Sequence, residues 1–164
     1  MSEVQETTMD WVKSSPKRRE AMVQPDIRRM TRADLVEMAA WLIGRLTERH
    51  AEATPAQIMA WLHGCMTSNE HWFVRSANVC ALAQLVRLPL EPQPIAQDIF
   101  VFVRPDAEEA PVMLYSAMAS WAAHLDASRL DVDIHTDVPR ITIAAHFGSV
   151  QNRRIASLKL GRLG

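Results

Sequence analysis

The stretch Ile99-Phe100-Val101-Phe102-Val103 constrains the fold more than any other part of the chain. Its residues are all β-branched or aromatic, which favours a strand, and it lacks the polar/apolar alternation of a strand with one wet face. Pro89, Pro92 and Pro94 precede the segment, and Arg104-Pro105 ends it, so it reads as one strand over Ile95–Val103. A strand apolar on both sides must be covered on both sides, which requires helices packed above and below a sheet.

The rest of the chain supplies those layers. Asp26 to Met30 alternates like a short strand, and Thr31 followed three residues later by Asp34 is helix N-capping chemistry. Leu35, Met38, Leu42 and Leu46 then recur on one helical face, with Arg32, Glu37, Arg45 and Glu48 on the other, to about His50. Thr54-Pro55-Ala56-Gln57 repeats the start signal for a second helix, to Thr67. The segment Trp72 to Leu88 predicts a hairpin turning at Ser76-Ala77-Asn78. Pro111 opens a helix bearing Leu114, Met118, Trp121 and Leu125, Leu130 to Ile134 alternates as a strand, a short helix follows Pro139 as far as Gly148, and Arg153 to Leu160 is a last strand. The predicted class is α/β, a mixed central sheet flanked by helices in the order βαα-βββ-α-β-α-β.

At 164 residues the chain fits one domain with a real core. Residues 1–24 are polar and without period, and read as a flexible extension or docking arm ahead of a domain over 25–164. The charges nearly cancel, 18 Lys+Arg against 19 Asp+Glu, so no long-range field calls for nucleic acid or an anionic membrane. Lys17, Arg18 and Arg19 are too short a basic run, followed by Glu20, to change that. No membrane span or signal peptide is read, which places synthesis in the cytoplasm. Cys65 and Cys80 lack metal-ligand spacing and read as buried packing thiols.

The element order, together with the phrase Phe102-Val103-Arg104-Pro105-Asp106 at the end of the central strand, resembles the GNAT superfamily of N-acetyltransferases over roughly Asp26 to Leu160. In that family the central strand splays from its neighbour. The loop after it, a Gln or Arg, two residues, a Gly, one residue, then Gly or Ala, wraps the diphosphate of coenzyme A in backbone N–H groups at a helix N-terminus. Counted from Arg104-Pro105, the matching positions here are Glu108, Pro111 and Met113. Glu108 and Glu109 put like charge beside phosphates, Pro111 removes a donor, and Met113 adds bulk where the backbone should be bare. A lost charge-assisted hydrogen bond alone is worth about 1.5–3 kcal/mol. The resemblance thus implies a degenerate cofactor loop, Arg104 and Asp106 through Met113. The family often places a tyrosine acid before a Gly-Phe pair in the last helix. Ala144 holds that position here, leaving His146 as the substitute.

Glu70, beside His71 at the start of the hairpin, is the second candidate base under the resemblance. Asp131, Asp133 and Asp137 with His135 form an acidic group suited to a cation or to base chemistry, or to a solvated strand face. The histidines have no metal-ligand spacing, so no metal is expected. Trp11, Met22, Trp61 and Trp72 fall outside or at the ends of predicted elements and are the expected partner contacts. These readings favour a non-catalytic pseudoenzyme, a GNAT-like binding or assembly module without cofactor. Its partner would be another protein or a second copy, and by analogy with phage structural genes it could enter a virion. The alternative is an acetyl-CoA-dependent N-acetyltransferase with a divergent cofactor loop.

Overall fold

The computed structural model describes residues 26–105, 111–133, 137–138 and 155–159. The expected short helix after Pro139, the terminal extension and most of the cofactor loop lie outside them. Within them the order is β1 (Arg28–Arg29), α1 (Arg32–Arg49), α2 (Pro55–Thr67), β2 (His71–Arg75), β3 (Val79–Val86), β4 (Ile95–Val103), α3 (Pro111–His124), β5 (Arg129–Asp133) and β6 (Ile155–Lys159). The six strands lie in chain order across one sheet, antiparallel except for the parallel pair β4 and β5.

Both first helices start as their sequences dictate. The Thr31 side chain accepts from the Asp34 N–H at 3.2 Å while the Asp34 carboxylate accepts from the Thr31 N–H at 3.0 Å. Thr54 and Gln57 repeat this box at α2, with Pro55 at its first position. At the end of α3 the chain turns through Asp126 at φ 57°, a conformation the short carboxylate side chain tolerates, and the Ala127 N–H returns to the Ala122 carbonyl at 3.0 Å.

The sheet separates two apolar layers. Leu35, Met38, Leu42 and Leu46 of α1, with Ile58 and Leu62 of α2, pack on Phe73, Cys80, Leu82, Phe100 and Phe102. Leu114, Tyr115 and Met118 of α3 pack on Trp72, Val74, Ala81, Val101 and Leu130. Cys65 and Cys80 are both free and buried.

Phe100 and Phe102 face α1 while Ala96, on the same parity, faces α3. A β-bulge explains the switch: Leu82 pairs with Phe100 but Ala83 pairs with Asp98, leaving Ile99 as an extra residue in β4. Asp98 lies on the α3 side of this bulge, where its buried carboxylate accepts the Tyr115 hydroxyl at 2.7 Å.

The N-terminus of α1 is locked to the sheet by charge. Arg28 spans both Asp34 carboxylate oxygens, at 2.5 and 2.6 Å, and Arg75 reaches the same carboxylate at 3.0 Å and Glu37 at 3.1 Å. Asp34 is therefore a buried ionic hub as well as a cap.

Candidate functional site

The central strand parts from its parallel neighbour soon after they meet. The ladder joins Ala96 to Leu130 and Gln97 to Asp131, and among the described residues no further rung links the two strands although both continue. The bulge at Ile99 supplies a cause, because an extra residue bends its strand and sharpens the local twist. The chain then returns to the far end of β4 through Asp137. Its N–H donates to the Val101 carbonyl at 3.1 Å and its carboxylate accepts the Val103 N–H at 2.9 Å. Among the described residues, the interval without rungs, the gap between the two strands, runs from Gln97 and Asp131 at one end to Asp137 at the other.

Three arginines converge on the Asp137 end. Arg45 of α1 donates to the other Asp137 oxygen at 2.5 Å, and its guanidinium lies 4.8 Å from the Phe102 ring centroid. Arg49, one turn further along α1, lies 5.0 Å from the same ring, and Arg104 lies 5.6 Å from Trp41. Trp41 meets Phe102 edge-on at 6.1 Å, so the two rings form one platform. Arg45, expected on the solvated face of α1, instead turns across the end of the sheet toward Asp137. A sequence pattern local to one helix has no access to a partner ninety-two positions away.

Other expected site residues are placed as follows. Arg104 is exposed at the exit of β4, its N–H bonded to the Asn78 carbonyl at 2.8 Å. Met113 is half-buried and lines a cleft of about 610 Å³ with Arg29, Trp72 and Ser116, which opens on the β1–β2 side of the sheet and not at the gap. Glu70 is exposed at the start of β2, 4.0 Å from Arg87, and its carbonyl accepts the Leu85 N–H. Leu85 pairs with Ala96, so Glu70 lies at the opposite end of β4 from Asp137 and is not positioned to act there. Trp72, expected at a partner contact, is 8% exposed and stacks on Trp121 at 6.2 Å, because its position in β2 faces α3. Trp61 is 41% exposed on α2. Asp106, Glu108, Glu109, His146, Trp11 and Met22 lie outside the described residues, as do the side-chain surroundings of Pro111. Of the acidic group, Asp137 meets β4 beyond the ladder and Asp131 accepts from Arg129 at 3.1 Å, while His135 and the Asp133 side chain lie outside what is described.

Among the described residues no group of His, Cys, Asp and Glu could hold a metal ion, and no helix is long and apolar enough to cross a membrane.

A six-stranded sheet with α1 and α2 on one face, α3 on the other and a parted parallel pair at its centre is the GNAT-type acetyltransferase fold. No family model matches the sequence, and no curated protein does. Among solved structures the chain is similar to an aminoglycoside antibiotic 6'-N-acetyltransferase of Acinetobacter haemolyticus, with 16% identity, 74% of this chain and 86% of that one covered, and a TM-score of 0.52. It is also similar to an aminoglycoside N-acetyltransferase solved in complex with CoA, with 15% identity, coverage of 73% and 81%, and a TM-score of 0.48. At such identity the likeness is one of fold.

Proposed function

We propose that this chain is an acetyl-CoA-dependent N-acetyltransferase with a divergent cofactor loop. The gap between β4 and β5 carries the proposal: a parallel pair that separates after two rungs opens the sheet where the GNAT fold admits its thioester substrate. Acetyl-CoA would supply an activated carbonyl. An amine nitrogen forms the new C–N bond as the C–S bond breaks, the amine gives up a proton and the departing thiolate takes one. Asp137 is the carboxylate held at the gap, by Arg45 and the Val103 N–H, and so is the candidate to receive the amine proton.

One observation favours a non-catalytic GNAT-like binding module instead. Asp137 occupies both the Val101 carbonyl and the Val103 N–H, backbone groups an extended ligand in the gap would otherwise use, and Glu108, Glu109 and Pro111 weaken the loop for phosphate. Calorimetric titration of the purified full chain with acetyl-CoA separates the two. Micromolar binding supports the enzyme, and absence of binding at millimolar acetyl-CoA removes it in favour of the module.

A further inference from the structure

We infer that the cleft between β1 and α3 is a docking site for the chain's own residues 21–25, with Met22 and Val23 packed against Met113. The inference goes beyond the acetyltransferase reading and does not depend on it.

The cleft exists because α3 packs chiefly on β3, β4 and β5, so among the described residues the same face of β1 and β2 has no helix fully over it. Arg29 pairs with Val74, and strand alternation therefore puts Ile27 and Arg29 on the face of Trp72 and Val74, the one toward α3. Between that face and the first turns of α3 lie the 610 Å³ of the cleft, within the range of pockets that enclose a ligand. Ile27, Met113 and Ala117 on its walls are half-buried, apolar side chains with one side still uncovered.

Three observations name the occupant. The first is position. Asp26 itself lines the cleft, and the chain enters it from Pro25, so residues 21–25 are delivered to the cleft's mouth. Met22 stands four positions before Asp26, at most about 14 Å of chain, and so stays within reach of Met113 on the opposite wall. A segment tethered this closely competes at an effective concentration on the order of millimolar, which a separate partner has to exceed. The second is charge. Behind the rim Arg28 and Arg75 are matched by Asp34 and Glu37, and at the rim Asp26 and Arg29 oppose each other, so the described charges around the cleft balance. Ala21-Met22-Val23-Gln24-Pro25 is likewise uncharged, whereas Lys17 to Glu20, just before it, is charged at every position. The third is Met113, in the first turn of α3, whose long thioether side chain adapts to an irregular apolar partner. Met22 and Val23 packed on it would tie the start of α3 to β1.

The test is nuclear magnetic resonance on the full chain with isotope-labelled methionine methyl groups, the Met22 and Met113 signals being assigned by M22L and M113L. A nuclear Overhauser contact between the two methyls is expected, equally strong at every protein concentration. M22D/V23D, which would bring charge into the cleft, should lower the melting temperature by about 2–4 °C or more, and M22L/V23I should leave it near the wild-type value. An absent contact overturns the inference. So does a contact that grows with protein concentration, because the occupant is then a second copy, and so does an unchanged melting temperature in M22D/V23D. Neither readout uses acetyl-CoA, so failure here is distinguishable from failure of the acetyltransferase reading.

Discussion

The Tyr115 hydroxyl and the Asp98 carboxylate meet at 2.7 Å, both side chains buried between β4 and α3. Removing the donor takes a hydrogen bond from a carboxyl group with almost no access to water. Tyr115→Phe, which keeps the ring and its packing, is expected to lower stability by about 1–3 kcal/mol. Urea denaturation would show this as a lower midpoint at unchanged m-value, and an unchanged midpoint would mean the bond contributes nothing net.

Acid should loosen the attachment of α1 to β1 and β2. Hydrogen bonds from Arg28 hold the Asp34 carboxyl well below the usual carboxylate range, and those from Thr31 assist, while burial acts the other way. Because the folded value lies below the unfolded one, the stabilisation is complete at neutral pH, begins to fall near pH 5 and is lost as pH drops toward the folded value, over roughly pH 5 to 2. Asp34→Asn cannot titrate. Its denaturation midpoint should be lower at pH 7 and depend less steeply on pH across that window, and parallel slopes for the two proteins would contradict the assignment.

Cys80 should be chemically silent in the native protein. Burial pushes its thiol far above the ordinary cysteine value, leaving almost no thiolate at neutral pH. A thiol reagent at pH 8 should leave Cys80 unmodified until urea unfolds the chain, as peptide mapping would show. Rapid native labelling at Cys80 would mean that β3 opens readily.

The extra residue in β4 is expected to be dispensable for the core. Deleting Ile99 leaves Asp98 opposite Ala83 and Phe100 opposite Leu82 in an unbroken ladder, so Phe100 and Phe102 stay toward α1 and Val101 toward α3 while the bulge is lost. The cost should stay within about 0.5–3 kcal/mol, the range of an ordinary substitution. Circular dichroism would show the cooperative thermal transition retained, and its collapse would refute the reading of Ile99 as the bulged residue.

Local chemistry was legible in the sequence and long-range chemistry was not. The caps at Thr31 and Thr54, the hairpin at Ser76 to Asn78 and the strand Ile95–Val103 all depend on neighbours within a few positions, and the structure bears them out. The bulge was hidden because a strand apolar on both faces reads the same in either parity. Asp34 announced itself as a cap, but its ion pair with Arg75 crosses forty-one positions. Trp72 sits in the first turn of residues after a loop, where exposure is common, and only the packing of α3 buries it. The arginine platform had no linear signal at all, since Arg45 and Arg49 have the spacing of an ordinary wet helix face and Arg104 looks like a strand terminator.

The two-residue strand β1 also shapes how the molecule can meet others. Its exposed residues are Arg28 and Arg29, and the backbone reaches β2 only as far as the Met30 N–H on the Phe73 carbonyl. An edge that short gives an incoming strand too few backbone groups to register against. Among the described residues, then, this border of the sheet works as a terminus, where fibre-like growth by strand addition is suppressed.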